Sequence, residues 1–136
     1  MSVAIRYFSK FGHSKLMAEA VSQVAGVPAL DVNEPLDGEV EILFLGAGLF
    51  LGKVDGSVGA FIKTLSPEKV GKVVCFGSCA IKKSPVPELK KLLEAQGLNV
   101  AVESFSCKGA MGPIYKGHPD SKDLALLQEF ARGILG

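Results

Sequence analysis

Cysteine is scarce in this 136-residue chain, and its spacing matches no common structural motif. Cys75, Cys79 and Cys107 make an odd count of three, with no CxxC pair among them. This pattern provides neither a disulfide framework nor a zinc site, so we expect reduced thiols. The N-terminus also lacks the basic start, the apolar run and the small-residue cleavage site of a signal peptide, which predicts a cytoplasmic protein.

An excess of charge of one sign is lacking too. Fifteen Lys and Arg residues oppose 14 Asp and Glu residues, which gives a net charge of +1, and no run of five like charges occurs. Nucleic acids and anionic membranes require a basic stripe, so neither is an expected partner. The longest apolar stretch, 42–52, is interrupted by glycines and falls well short of the roughly 20 residues of a membrane span. Length and a hydrophobic content of 48% instead predict a single globular domain over residues 1–136.

Apolar runs alternate with amphipathic stretches along the chain, which is typical of an α/β sheet with helices on its faces. The predicted strands are 3–8, 28–32, 41–46, 72–77 and 98–106. Helices are expected after the first, third, fourth and fifth strands. Gly26 is expected to end the first helix, and Asp120 is expected to cap the last one.

The composition of the strands predicts their order in the sheet. The first, third and fourth are continuous apolar runs, which belong at the centre of a parallel sheet. The second is short and opens with Pro28, and the fifth alternates polar with apolar residues, so both belong at edges. The predicted order is therefore 2-1-3-4-5. Because 33–40 is shorter than the usual parallel crossover of about a dozen residues, the second strand is expected to be rudimentary.

Segment 9–14 leads from the first strand directly into a helix. In a sheet of this order, ligands bind beyond the carboxyl ends of the strands, near the switch point between strands one and three. Amide groups at a helix start, the hydroxyls of Ser9 and Ser14, and a turn at Gly12 suit a phosphate. Lys10 adds a positive charge within the same segment. We predict a phosphate loop here; a plain helix cap at His13 or Ser14 is the alternative.

Other nucleotide and catalytic motifs are incomplete. Segment 47–54 imitates a Walker loop, but Ala47 replaces the first glycine and Val54 replaces the hydroxyl that binds Mg²⁺. Leu51 interrupts a GxGxxG fingerprint in the same region. No paired carboxylates, Ser-His-Asp order or metal-ligand cluster argue for hydrolysis or metal catalysis.

Three segments resemble the flavodoxins. Segment 9–14 resembles the T/S-x-T-G-x-T/S phosphate loop of that family, and 46–53, Gly-Ala-Gly-Leu-Phe-Leu-Gly-Lys, resembles the G-S/A-G-I/L-Y/F-x-G-K loop of short flavodoxin-like proteins. The C-terminal segments 105–109, 116–120, 123–124 and 130–131 are similar to the tail of the same group. The resemblance spans nearly the whole chain. It implies a flavodoxin-like, doubly wound, five-stranded parallel sheet with helices on both faces.

The resemblance also implies FMN as the cofactor, whose flavin accepts electrons while the protein supplies orientation and electrostatics. The expected cofactor-binding residues are Ser9, Lys10, Phe11, Gly12, His13, Ser14, Gly48, Leu49, Phe50, Leu51, Gly52, Gly77, Ser78, Cys79, Cys107 and Gly109. Phe11 departs from the family pattern, because a hydroxyl residue usually stands there. Since the chain has no Trp, ring stacking is assigned to Phe50 or to the flanking leucines.

The function that the resemblance implies is electron transfer between a reductase and an acceptor enzyme. Flavodoxins are usually strongly acidic, so a net charge of +1 predicts partners that are not found through a large negative patch. One alternative is an FMN-dependent reductase or oxidase of a small molecule. The other, left open by Phe11, is a flavin-free accessory module that docks onto a protein through loop 109–117.

Three further features have alternative interpretations. Loop 109–117 is either a lid over the flavin, a docking face or a plain surface loop. Cys79 and Cys107 follow adjacent strands and would permit redox chemistry if one had a lowered pKa, although small buried thiols are the ordinary case. Lys82 and Lys83 belong either to a solvated face or to a contact with an acidic partner or with nicotinamide nucleotide phosphates.

Overall fold

A computed structural model describes residues 2–79, 83–110 and 117–136. Its elements in chain order are β1 (Val3–Tyr7), α1 (His13–Ala25), β2 (Ala29–Asp31), β3 (Val40–Ala47), α2 (Gly56–Ile62), β4 (Val70–Cys79), α3 (Val86–Ala95), β5 (Val100–Lys108) and α4 (Ser121–Leu135). The five strands pair in parallel in the order β2-β1-β3-β4-β5. The predicted strand order is confirmed.

Both faces of the sheet are covered, and each face has its own apolar cluster. Phe44 of β3 and Phe76 of β4 pack with Met17 against α1 and α4. Leu45 and its neighbours in β3 and β4 pack on the opposite face against Val58 and other residues of α2 and α3. Because successive side chains of a strand point to opposite faces, a central strand covered on both sides needs apolar residues throughout. This requirement explains the continuous apolar runs of β3 and β4.

Asp120 caps α4, as predicted. Its side chain accepts a hydrogen bond from the N–H of Asp123, and the Asp123 carboxylate accepts one from the N–H of Asp120. This reciprocal capping box satisfies two backbone donors at the helix start. Within the described ranges, no helix combines the length and the apolar character that crossing a bilayer requires.

Strands β4 and β5 extend further than the sequence predicts. Pairing continues through Ser78 with Cys107 and Cys79 with Lys108, and the N–H of Gly109 still donates to the carbonyl of Cys79 at 2.9 Å. The sequence-based ends at residues 77 and 106 are therefore wrong. Ser, Cys and Gly carry little strand signal of their own, so only the hydrogen-bond ladder reveals that these residues belong to the sheet.

The connection from β2 to β3 has no helix and crosses over β1. Strand β2 has only 3 residues, which confirms that it is rudimentary. Arg6 of β1 is only 6% exposed, and its guanidinium donates to the carbonyls of Glu34 and Pro35 in this connection, each at 2.8 Å, and to that of Ile5 at 3.0 Å. Burial lowers the pKa of Arg6, while the Glu34 carboxylate opposes that shift. Arg6 thus holds the β2–β3 connection, which contains no helix, against β1.

Replacing Arg6 tests this role. We expect Arg6→Leu to lower the free energy of unfolding by about 2 to 4 kcal/mol, because three backbone carbonyls lose the charged donor that links them to β1. Urea denaturation followed by circular dichroism measures the change. The matched control is Arg132→Leu, which removes only an exposed ion pair with Glu129 and should change stability by less than about 1 kcal/mol. Equal losses for the two variants would contradict the assignment.

Candidate functional site

A cleft opens at the carboxyl edge of the sheet, between the segments that follow β1 and β3. It encloses about 540 Å³, including space that is open to solvent. The cleft is lined by Phe8, Ser9, Lys10, Phe11, His13, Ser14, Gly48, Leu49, Phe50, Asp55, Ser78, Cys79, Gly109 and Ala110. This position is the switch point at which ligands bind in open α/β sheets, because the chain leaves β1 and β3 toward opposite faces.

Most of the predicted cofactor-binding residues therefore come together in one place. The exceptions, which do not line the cleft, are Gly12, Leu51, Gly52, Gly77 and Cys107. The assignment of all these residues to a cofactor remains a prediction. Segments 80–82 and 111–116 lie outside the described residues, so the expectations for Lys82 and for most of loop 109–117 also stay predictions.

The sequence analysis missed three residues of the cleft: Phe8, which also packs against the apolar cluster under α2 and α3, Asp55 and Ala110. Asp55 caps α2, and its carboxylate accepts hydrogen bonds from the N–H and the hydroxyl of Ser57 at 3.0 and 2.6 Å. The signal that could have found Asp55 is an acidic residue just before an apolar helical run. Ala110 has no reactive side chain and contributes its backbone, for which the sequence holds no signal.

Helix α1 begins at the cleft without a side-chain cap. Its N-cap is Gly12, which has φ 90° in the left-handed region that favours glycine, and it makes no side-chain capping bond. The alternative of a helix cap at His13 or Ser14 is wrong, because both residues lie inside the helix. An uncapped helix start offers backbone N–H groups and the positive end of the helix dipole to an anion.

Serine hydroxyls line the floor of the cleft. The hydroxyl oxygen of Ser9 is buried, and it has no hydrogen-bond partner within the described part of the chain. Ser14 and Ser78 are also buried. An unpaired buried hydroxyl costs about 1 to 3 kcal/mol, so the folded chain keeps Ser9 at an energetic disadvantage unless a ligand supplies an acceptor.

Two glycines bring the backbone against Ser78 on this floor. A Cβ atom added to Gly48 would lie 3.0 Å from the Ser78 hydroxyl oxygen, and one added to Gly109 would lie 2.8 Å from the Ser78 Cβ. Larger residues would therefore displace Ser78. Hydroxyls, a helix start and closely approaching backbone together form a donor set that fits a phosphate ester.

Hydrogen bonds connect the start of α1 with the start of α4 along one wall of the cleft. The Nε2 atom of His13 lies 2.9 Å from the carbonyl oxygen of Ala110, so Nε2 must carry the proton and donate. The N–H of Ala110 donates to the carbonyl of His118 at 2.8 Å. His118 Nδ1 then lies 2.6 Å from the Asp123 carboxylate. Burial raises the pKa of Asp123, but hydrogen bonds from Asp120 and His118 outweigh it, and the pKa stays below its usual value.

Two aromatic side chains stand at the mouth of the cleft. Phe11 and Phe50 are 61% and 42% exposed, and their ring centroids lie 5.9 Å apart at an interplanar angle of 52°. The ammonium of Lys10 lies over the Phe50 ring, 3.6 Å from its centroid, in a cation–π contact. Lys10 therefore reaches across the mouth in this structure, and its expected phosphate contact stays a prediction.

All three cysteines are free; Cys75 is buried, and Cys79 and Cys107 are partly buried. Cys79 lines the cleft, whereas the Cys107 sulfur lies 3.8 Å from the Met17 sulfur beneath α1. Burial raises the pKa of Cys107 to about 12, and Asp123 adds to the effect; burial likewise raises the pKa of Cys75 to about 12. The pKa of Cys107 is thus raised rather than lowered, which does not favour redox chemistry at this thiol.

Comparisons with known proteins identify the fold. No family model matches the chain. An uncharacterized protein of Methanocaldococcus jannaschii is 29% identical over 107 residues, which cover 70% of this chain and 69% of that protein. A flavodoxin from the domain Archaea has a TM-score of 0.78 at 19% identity and covers 98% of this chain and 96% of its own.

Two further solved structures share the architecture. Oxidised flavodoxin 2 from Bacillus cereus has a TM-score of 0.74 at 16% identity, covering 99% of this chain and 98% of its own. A flavoprotein in complex with FMN from Lactobacillus acidophilus has a TM-score of 0.59 at 14% identity, covering 79% and 93%. The chain therefore has the flavodoxin-like fold that the sequence resemblance implies.

Alkylation tests the difference between the cysteines. With iodoacetamide at pH 8, we expect Cys79, which lines the cleft, to be modified first, because the raised pKa values of Cys75 and Cys107 keep those two thiols protonated and poorly nucleophilic. Modification of Cys75 and Cys107 should be at least about tenfold slower, since only a small fraction of each is thiolate at that pH. Peptide mass spectrometry over a time course measures the three rates. Labelling of Cys107 as fast as Cys79 would contradict the raised pKa of Cys107.

Proposed function

We propose that the cleft binds FMN and that the protein is a cytoplasmic electron carrier between a reductase and an acceptor enzyme. The observation that carries the proposal is the buried, unpaired hydroxyl of Ser9 beside the uncapped start of α1. FMN ends in a phosphate that would accept from both groups. The likeness to flavodoxins and to a flavoprotein in complex with FMN supports the same cofactor.

Two groups of cleft residues would bind the two ends of FMN. The hydroxyls of Ser9 and Ser14 and the first N–H groups of α1 would hold the phosphate at the closed end of the cleft. The aromatic residues Phe11 and Phe50 stand at the open end, where a flat, apolar ring system is best accommodated. When bound, FMN supplies one- and two-electron redox chemistry, and the protein orients it.

An electron carrier is favoured over an enzyme that acts on a small molecule. Two groups of the cleft that are suited to acid–base catalysis already have partners: His13 donates to the carbonyl of Ala110, and the Asp55 carboxylate accepts from Ser57. These bonds favour a structural role for His13 and Asp55 over proton transfer to a substrate. An exposed mouth also suits a reaction in which a partner protein approaches the edge of the cofactor.

Phe11 does not favour the flavin-free alternative. Its side chain lies beside Phe50 at the mouth and is largely exposed, so it does not fill the phosphate end of the cleft. The position loses one hydroxyl donor relative to the flavodoxin pattern but gains an aromatic surface. The neighbouring hydroxyls and backbone N–H groups remain in place for a phosphate.

The substitution Ser9→Ala tests whether Ser9 binds the phosphate of FMN rather than its ring. For the unchanged protein, we expect FMN to bind with a dissociation constant below about 1 μM. The variant should bind FMN roughly tenfold more weakly, because one phosphate donor is lost, while riboflavin, which has no phosphate, should bind as before. The apoprotein should become more stable by about 1 kcal/mol, since an unpaired buried hydroxyl is removed. Quenching of flavin fluorescence and urea denaturation measure these effects.

The control is Ser66→Ala. Ser66 lies at the opposite edge of the sheet, where its backbone carbonyl accepts a hydrogen bond from the N–H of Val70 at the start of β4. This variant should leave the affinities for FMN and riboflavin unchanged. An unchanged protein without saturable FMN binding would refute the proposal. Equal weakening of FMN and riboflavin by Ser9→Ala would refute the location of the phosphate.

A further inference from the structure

A tight turn projects from the mouth of the cleft at residues 50–53. Phe50 and Lys53 exchange two backbone hydrogen bonds, at 2.9 and 3.1 Å, and form an isolated antiparallel bridge. The two residues between them have positive φ angles, 52° for Leu51 and 77° for Gly52. This two-residue turn favours Asn, Asp or Gly at its first position. Among the described residues, Leu51 is the one non-glycine residue with a positive φ.

Leu51 is unfavourable here for a second reason. Its side chain is 86% exposed, so a strained position carries an apolar group that buries almost nothing in the fold. Phe11 and Phe50 are exposed beside it, and together these three side chains form what we call the apolar tip. A residue that is unfavourable for its backbone conformation and adds no stability points to a function. Exposed apolar side chains that cluster together mark contact surfaces.

Three exposed lysines surround the apolar tip. The Lys10 ammonium lies on the Phe50 ring, the Lys83 ammonium donates to the Gly52 carbonyl at 3.1 Å, and Lys53 closes the turn. Two carboxylates lie near these lysines in the described part of the chain: that of Asp55 accepts from Ser57, and that of Glu88 accepts from the N–H of Val54 at 3.0 Å. Three lysines against two carboxylates leave a local excess of positive charge at the mouth, in a chain that is nearly neutral as a whole.

We propose that the mouth of the cleft is the docking surface for an acidic redox protein. The exposed side chain of Leu51 is the apolar contact, and Lys10, Lys53 and Lys83 face carboxylates of the partner. The inference rests on the proposed function, because it places the partner over the cleft assigned to FMN. Complementary charge steers diffusional encounter and fixes orientation, and a small apolar contact matches the modest interfaces of transient electron-transfer complexes.

The test uses two protein electron acceptors of opposite charge, an acidic rubredoxin and a basic cytochrome c. The full chain is loaded with FMN, and the flavin is reduced by two electrons. On reoxidation the flavin passes one electron to each of two acceptor molecules and releases its protons. Stopped-flow rates are measured from about 0.02 M to about 0.5 M NaCl. We expect the rubredoxin rate to fall roughly tenfold and the cytochrome c rate not to fall, since salt screens attraction to the lysines. Only salt slopes are compared, because the driving forces differ.

Charge variants locate the effect. The double variant Lys53→Gln, Lys83→Gln should flatten the rubredoxin slope to less than about threefold. The matched control is Lys63→Gln, Lys69→Gln at the opposite edge of the sheet, where the Lys69 carbonyl accepts from Val40 at the start of β3. This control should keep the full slope.

Leu51→Asn tests the apolar contact, because asparagine tolerates the same turn. We expect it to slow rubredoxin reduction roughly threefold to tenfold at every salt concentration and to leave the slope unchanged. All rates are compared at full FMN loading, so a difference in cofactor affinity does not enter.

The outcomes separate this inference from the proposed function. Absence of saturable FMN binding would refute both. Tight FMN binding with a rubredoxin rate that is independent of salt or rises with it would refute the docking surface alone. The same holds if the two lysine double variants behave alike. Vesicles that contain phosphatidylserine should not bind the FMN-loaded protein at about 0.15 M NaCl; lysine-dependent binding to them would also overturn the assignment to a protein partner.

Discussion

The divergence of the chain after β1 and β3 is the constraint on which the site depends. These strands are neighbours in the sheet, yet α1 and α2 lie on opposite faces. The two segments that connect strand to helix therefore separate at the carboxyl edge and leave a cleft between them. One segment contributes the uncapped start of a helix, and the other contributes the turn at 50–53. The strand order thus brings a phosphate-sized donor set and an exposed apolar tip to one edge.

Features that do not stabilise the fold are concentrated at this same edge. Ser9 buries an unpaired hydroxyl, and Leu51 adopts a left-handed conformation. Elsewhere the chain follows ordinary rules: α4 has a complete capping box, and the buried guanidinium of Arg6 has three carbonyl partners. Residues that lower the stability of the fold and cluster at one place are expected where a ligand or a partner protein binds.

Much of this arrangement could be predicted from sequence, because it depends on local signals. Continuous apolar runs placed β3 and β4 at the centre, Asp120 marked a helix start, and Gly12 with its neighbouring hydroxyls marked the loop after β1. What the sequence did not reveal depends on contacts between distant segments. The extension of β4 and β5, the bonds from Arg6 to the β2–β3 connection and the position of Lys10 over Phe50 each require a partner far along the chain. The role of Ala110 is carried by backbone atoms that every residue has.

Backbone amide shifts during titration of the full chain with FMN test the central claim most directly. We expect a saturable one-to-one transition in which the largest changes occur at the N–H groups of residues 10–14, with those of 48–52 and 109–110 following. Inorganic phosphate at high concentration should move the first group only, because it lacks the ring. Saturation at one equivalent with the largest changes outside segment 9–14, or no saturable change at all, would contradict the account.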